Sequence, residues 1–114
     1  MDGIILPSLH LSSPSDGLVE GEILLPAGRA GNQALALLFA QQLIDYLIPP
    51  EGWRESSFSI KWTIPPGEGR LYGQAWFERF GTTVHFIAVR LVDESGQPIA
   101  VATTTAHHSN GGTD

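Results

Sequence analysis

Residues 31–47, GNQALALLFAQQLIDYL, decide how this chain is read. The stretch predicts one helix, apolar on nearly every side. Beyond its first turn only Gln41, Gln42 and Asp45 interrupt the apolar surface. Asn32 is the expected N-cap, because its side-chain oxygen can take a free backbone N–H. The run PPEG at 49–52 stops the helix after about Ile48. A helix that is apolar nearly all round must be covered nearly all round. A single sheet covers one side of it. A strongly curved sheet covers more, and a second subunit covers the rest.

The flanks supply that sheet. Upstream, residues 1–16 mix Pro, Ser and short apolar pieces and are expected to form an extended arm. GLVEGEILLP follows, with Val19, Ile23 and Leu25 on one alternate face, and predicts a strand ended by Pro26. Downstream, SFSIKWTI alternates: Phe58, Ile60, Trp62 and Ile64 face one way, and Ser57, Ser59, Lys61 and Thr63 the other. PPGEG turns the chain into RLYGQAWFERF, with Leu71, Ala75 and Phe77 on one face. Gly81 marks a tight reversal. TTVHFIAVRLV is apolar on both faces in its middle, which predicts a central strand. DESG predicts a hairpin turn with Gly96 at positive φ. In PIAVATTTAHH one face carries Ala100, Ala102, Thr104 and Ala106, small enough for another element to come close. The expected order is therefore a strand, a long helix and four more strands. This is an α+β chain of about five antiparallel strands over residues 17–108, with a frayed tail at 109–114.

The totals bound the function. At 114 residues the chain is one domain with one core. The apolar fraction of 42% argues against disorder. Six basic against twelve acidic residues leave a net charge of −6. That gives no basic face for nucleic acid. There is no cysteine, which excludes disulfides, thiol nucleophiles and Cys-based zinc sites. The first residues lack the basic start and apolar run of a secretory signal. The near-apolar stretch from Ala34 to Ile48 is too short to span a bilayer. The default location is the cytoplasm, with no membrane partner.

The likeness to a known family is clearest over residues 56 to 107. There FSIKWTIPPGEGRLYGQAWFERFGTTVHFIAVRLVDESGQPIAVATTTAH shows an alternating strand with Pro at its end and a Gly-rich turn. A strand ending near Arg-x-Gly, a long strand, an Asp-x-x-Gly turn and a strand rich in Ala and Thr follow. This pattern resembles the hotdog fold, and within it the acyl-CoA thioesterases of the phenylacetate-degradation type. The resemblance implies a long central helix wrapped by a curved antiparallel sheet. It also implies a homodimer with sheets joined edge to edge, often assembling further into tetramers. An acyl-CoA or similar thioester binds at the dimer interface, and no further cofactor is implied. In that family a His-Gly-Gly loop precedes the helix, and a carboxylate two turns in activates water or attacks the thioester. The free amides at the helix start polarise the thioester carbonyl. Here the triplet falls near Arg29, Ala30 and Gly31, where only the last glycine matches. The carboxylate position falls near Leu38, and Leu37, Leu38, Phe39 and Ala40 offer no acid or base.

Asp45 is the acid the helix does contain. It lies two turns beyond Leu38, with Gln41 and Gln42 between them, so the four form one stripe. Either Asp45 acts as base or orients water there, helped by Gln41 and Gln42, or the polar side marks where the helix end meets solvent or a partner. Gly31, Asn32 and Gln33 offer backbone N–H groups for an oxyanion or a phosphate, or simply start the helix. Gly81 and Thr82, beside Arg79 and Arg90, fall in a neighbourhood that in proteins of the family it resembles can approach the nucleotide end of CoA; the alternative for either Arg is a surface role. His85 sits mid-strand among apolar neighbours and fits a core or interface residue. His107 and His108 point to opposite faces, so no metal site is expected. Trp53, Trp62 and Trp76 are expected in the core or an interface. Two functions follow: an acyl-CoA thioester hydrolase, or a non-catalytic hotdog module that binds an acyl ligand or a partner protein. A hydratase or dehydratase is weaker, because it needs a His paired with an acid at the cleft.

Overall fold

The structure is a computed structural model that describes residues 9–28, 31–49 and 51–108. The expected tail at 109–114, most of the predicted arm, and Arg29 and Ala30 lie outside the described residues. Six strands and one helix follow in order: β1 (His10–Ser15), β2 (Leu18–Leu25), α1 (Asn32–Leu47), β3 (Trp53–Trp62), β4 (Gly69–Phe80), β5 (Val84–Asp93) and β6 (Pro98–His108). The strands form one sheet in the order β1-β2-β4-β5-β6-β3, with every neighbouring pair antiparallel. The chain thus leaves β2, passes through α1 and returns at the opposite edge as β3.

The sheet has six strands where about five were expected. The extra one is β1, which lies inside the predicted arm and pairs with β2 from His10↔Glu22 to Ser15↔Leu18. Its sequence, HLSSPS, carries no alternating apolar signal, and backbone bonds to β2 hold it at the edge.

The other strand readings hold. Val19, Ile23 and Leu25 are buried on β2, as are Leu71 and Ala75 on β4 and Ala100, Ala102, Thr104 and Ala106 on β6. β5 lies between β4 and β6, as its two apolar faces predicted. At the β5–β6 turn, Gly96 takes φ 86°. Asp93 closes that turn: its Oδ1 accepts from the Ser95 N–H and hydroxyl and from the Gln97 N–H, at 2.7–2.9 Å. These donors hold its carboxyl below the ordinary range, the Ser95 hydroxyl most of all.

The helix packs against β2, β4 and β5 through Ala36, Phe39, Ala40, Leu43 and Ile44, all fully buried. Burying each of the large ones contributes roughly 1.5–3 kcal/mol. A pair of glycines makes this approach possible. Gly21 and Gly73 face each other across β2 and β4. A Cβ on Gly73 would meet Leu43 at 2.6 Å and Phe39 at 3.0 Å, and one on Gly21 would meet Phe39 at 3.2 Å. The two glycines therefore leave a dent in the sheet that Phe39 fills. The far side of the helix is not covered within one chain: Leu37 is 38% exposed and Tyr46 52%.

Candidate functional site

The helix start is built differently from the expectation. The cap is Gly31, in the left-handed region at φ 87°, with no side-chain cap bond. Asn32 is instead the first helical residue and is fully buried. Its side chain acts as a donor: Nδ2 points at the carbonyls of Gly28 (2.9 Å), Pro26 (3.1 Å) and Gly67 (3.3 Å). Its Oδ1 is buried without a partner. Asn32 thus ties the helix start to the β2–α1 loop and to the turn before β4. The first intrahelical bond runs from the Leu35 N–H to the Gly31 carbonyl. Amides ahead of it have no carbonyl within the helix, and the positive end of the helix dipole lies there.

At the other end of the helix, side chains from three elements meet. The Gln41 amide donates to Asp45 Oδ1 (3.1 Å), one turn on, and to Glu55 Oε1 (2.8 Å) on β3. The Thr104 hydroxyl of β6 lies 2.5 Å from the other oxygen of Glu55 and within reach of the Ser57 carbonyl as well, and its one hydrogen serves one of these two acceptors at a time. One amide with two N–H groups thus joins two carboxylates, and a hydroxyl fixes the second of them. Glu55 is half-buried and Asp45 exposed. Gln42 is exposed and takes no part in this network. Of the polar stripe read from the sequence, Gln41 and Asp45 come together. Glu55 and Thr104 are additions that the sequence reading missed.

Gly31 and Asp45 are fourteen residues apart, about 21 Å along the helix axis. Gly81 and Thr82 lie at the carboxylate end of the molecule. Gly67 touches Asn32, and β4 then runs twelve residues from Gly69 to Phe80, about 35 Å. One chain therefore does not bring Gly31, Asn32 and Gln33 together with Asp45, Gly81 or Thr82.

His85 is buried near the same end. Its ring stacks between Trp53 (3.8 Å, 18° between planes) and Phe80 (4.2 Å, 24°), with Phe77 edge-on at 4.9 Å. Burial lowers its pKa, and a bond with the Gly81 backbone opposes this in part. Nδ1 has no partner. Glu55 and His85 pair with Ala106 from opposite sides, so two strand spacings, about 10 Å, separate their backbones. Glu55 is turned toward Gln41 and Thr104, one at each oxygen. His85 and Glu55 therefore form no acid–histidine pair. His107 pairs with Arg54 and His108 with Trp53. Among the described residues no three His, Asp or Glu side chains form a group suited to a metal ion. Arg79 lies over the Phe86 ring at 5.9 Å, and both Arg79 and Arg90 are exposed. Trp62 packs on the core from β3, whereas Trp76 stands half-buried on the other face of the sheet and donates to Glu78 (2.9 Å).

No protein-family model and no curated protein matches the sequence. Solved structures match the fold. The PaaI protein of the Escherichia coli phenylacetic acid degradation operon superimposes with a TM-score of 0.76 at 17% identity, over 88% of this chain and 78% of that one. Zebrafish thioesterase superfamily member 2 gives 0.75 at 19%, over 88% and 80%. Smu.793 of Streptococcus mutans, solved with acetyl-CoA bound, gives 0.74 at 14%, over 94% and 93%. No helix among the described residues is long and apolar enough to cross a membrane. One helix laid across an antiparallel sheet in this strand order is the hotdog fold that those structures share.

Proposed function

We propose that this chain binds acyl thioesters, with acyl-CoA as the substrate, and hydrolyses them in a site shared by two chains joined along β3. The carrying observation is the separation just described. Along the helix axis Gln41 lies about 12–15 Å and Asp45 about 18–21 Å from the helix-start amides, too far to act on one thioester carbonyl. An antiparallel two-fold joining of β3 edges turns the carboxylate end of each protomer toward the helix start of its partner. β3 suits that role: it is a sheet edge of ten residues, whereas β1 at the other edge is six residues long and interrupted by Pro14. A partner there also covers helix surface that one chain leaves open.

In this reading Glu55 is the general base. Gln41 and Thr104 hold it, and Asp45 anchors Gln41. Glu55 takes a proton from water while the water oxygen bonds to the thioester carbon. The developing oxyanion is stabilised by amides at Gly31, Asn32 and Gln33 of the partner subunit. The C–S bond then breaks, the proton passes to the leaving sulfur, and free acid and free thiol result. Gly81 and Thr82 border the entrance for the CoA moiety at the same end.

The protein has no cysteine, so a thiol-specific dye reads released CoA alone. Saturable thiol release is expected across a panel of acyl chain lengths. Glu55→Gln lowers kcat by about 100-fold or more, as loss of a general base does. Asp45→Asn lowers it about tenfold, as loss of one orienting hydrogen bond does. Full activity in Glu55→Gln sinks the assignment of the base. A second reading, a module that binds an acyl ligand or a partner protein without turnover, is favoured by the apolar residues at Leu37–Ala40. Acyl-CoA binding with no thiol release from wild type would select it.

A further inference from the structure

We infer, resting on the proposed function for the identity of the ligand, that Phe80 is the platform on which the adenine ring of coenzyme A stacks. Phe80 is 69% exposed, the most exposed large apolar side chain among the described residues. Its ring is nevertheless held. One face lies on the buried His85 ring at 4.2 Å and 24°, and Phe77 meets it at right angles at 4.8 Å. Trp53 stacks on the far side of His85 at 3.8 Å. Three rings therefore form one column, and the last face of that column is open.

The sheet explains why that face is open. β2 pairs with β4 only as far as Leu18↔Trp76, so the ladder on that side stops before β4 reaches Phe80. On its other side Phe80 pairs with His85 of β5, the ring it stacks on. An aromatic face fixed from behind and open in front takes up a second flat ring with little further loss of rotamer freedom. Nucleic-acid bases stack on such faces, and one stack is worth about tenfold or more in affinity.

The distance to the proposed chemistry fits. Glu55, Ala106, His85 and Phe80 pair in succession across β3, β6, β5 and β4, in a single row. Three strand spacings put the backbone of Phe80 about 14 Å from that of Glu55. The pantetheine arm between the sulfur and the diphosphate has about a dozen bonds and spans roughly 15 Å. A molecule with its thioester carbonyl at Glu55 thus reaches Phe80 with its nucleotide end. Thr82 and Thr83, both exposed, follow Phe80 closely and offer hydroxyls to the ribose. Arg79 is turned to the other face of the sheet, over Phe86 at 5.9 Å, so a flat ring rather than a charge does the recognising. β4 stands three places in from the β3 edge, and joining two chains there leaves Phe80 accessible. The substrate class that follows is a thioester carried on a nucleotide, in preference to one on a bare pantetheine arm.

The test compares coenzyme A with pantetheine, which ends before the nucleotide, by titration calorimetry at raised salt, where surface ion pairs are screened. Wild type is expected to bind coenzyme A about tenfold more tightly than pantetheine, or better. Phe80→Leu keeps His85 covered but has no flat face, and it loses that preference. Phe80→Trp has a flat face and retains it. Circular dichroism checks that both variants keep the fold. In turnover, Phe80→Leu raises KM for acyl-CoA more than for the matching acyl-pantetheine. The inference is overturned if wild type binds coenzyme A no more tightly than pantetheine, or if Phe80→Leu keeps the preference. It is also overturned if Phe80→Leu weakens both ligands alike, which would make Phe80 a wall of the cleft. A preference lost in Phe80→Leu, with no thiol released by wild type, upholds the platform and sinks the hydrolase. Thiol release without any preference does the reverse.

Discussion

Asn32 offers a sharp test of how the helix start is built, because two readings of it rank the same substitutions in opposite order. If Asn32 were an N-cap acceptor, Asp would serve as well as Asn, and Ala would cost about 1 kcal/mol. In the structure it is a buried donor to the carbonyls of Pro26, Gly28 and Gly67. An amide has two N–H groups, so it satisfies two of the three at a time. At about 0.5–1.5 kcal/mol net per bond, Asn32→Ala loses about 1–3 kcal/mol. Asn32→Asp has no N–H to give. It sets a carboxylate against three carbonyl oxygens at a fully buried position, and an uncompensated buried charge costs about 3–5 kcal/mol. The favourable field of the helix start returns only about 0.3–1 kcal/mol of that. The expected order of urea midpoints at pH 7 is wild type, then Asn32→Ala, then Asn32→Asp. With a slope near 1.5 kcal/mol per M, Asn32→Ala shifts the midpoint by about 0.7–2 M. The Asp deficit shrinks as the carboxyl is protonated at lower pH. An Asp variant as stable as wild type, or more stable than the Ala variant, would refute the donor role.

Two further outcomes follow from the core. Gly73→Ala inserts a methyl 2.6 Å from Leu43 and 2.9 Å from Leu91, so chemical denaturation should show a loss of about 1–3 kcal/mol; an unchanged midpoint would mean that Phe39 does not sit in the glycine dent. His85 has its pKa lowered below 6.5 in the folded chain by burial, so the unfolded chain takes up the proton first. Stability should therefore be full above about pH 6.5 and fall as pH drops through that value, by at most one proton per chain, or about 1.4 kcal/mol per pH unit. His85→Phe, which keeps the ring stack with Trp53 and Phe80, should flatten that part of the pH–stability curve; a curve identical to wild type would clear His85 of the effect.

Most of the fold was legible because its signals are local. Alternation in SFSIKWTI, the two apolar faces of β5 and the small residues of β6 each reflect a face that neighbouring residues declare together. What escaped has non-local causes. β1 is polar and Pro-interrupted, and only its pairing with β2 makes it a strand. The cap is Gly31 rather than Asn32, whose amide is turned to the carbonyls of Pro26, Gly28 and, thirty-five residues on, Gly67. Asp45 was visible for the opposite reason: it lies one helical turn from Gln41, and such spacing is read directly from sequence.

Glu55 was hidden by parity. Alternation traced back from Phe58 puts residues 56 and 54 on the helix side and turns Glu55 outward. The ladder between β3 and β6 slips between Glu55 and Ser57, where one extra residue enters β3. That bulge reverses the parity of everything before it. Trp53 and Glu55 therefore share the inner face with Phe58, Ile60 and Trp62. The same slip puts Trp53 against His85 and Glu55 within reach of Gln41 and Thr104. Bulges are placed where a strand must re-aim a side chain, and this one re-aims two of the groups at the carboxylate end. The helix position near Leu38 lacks an acid, and Glu55, at a strand position that simple alternation faces outward, stands beside the helix at Gln41. It keeps that place only while the bulge is there. The serines at 56 and 57, small enough to crowd into an irregular ladder, belong to the proposed site as much as Glu55 does.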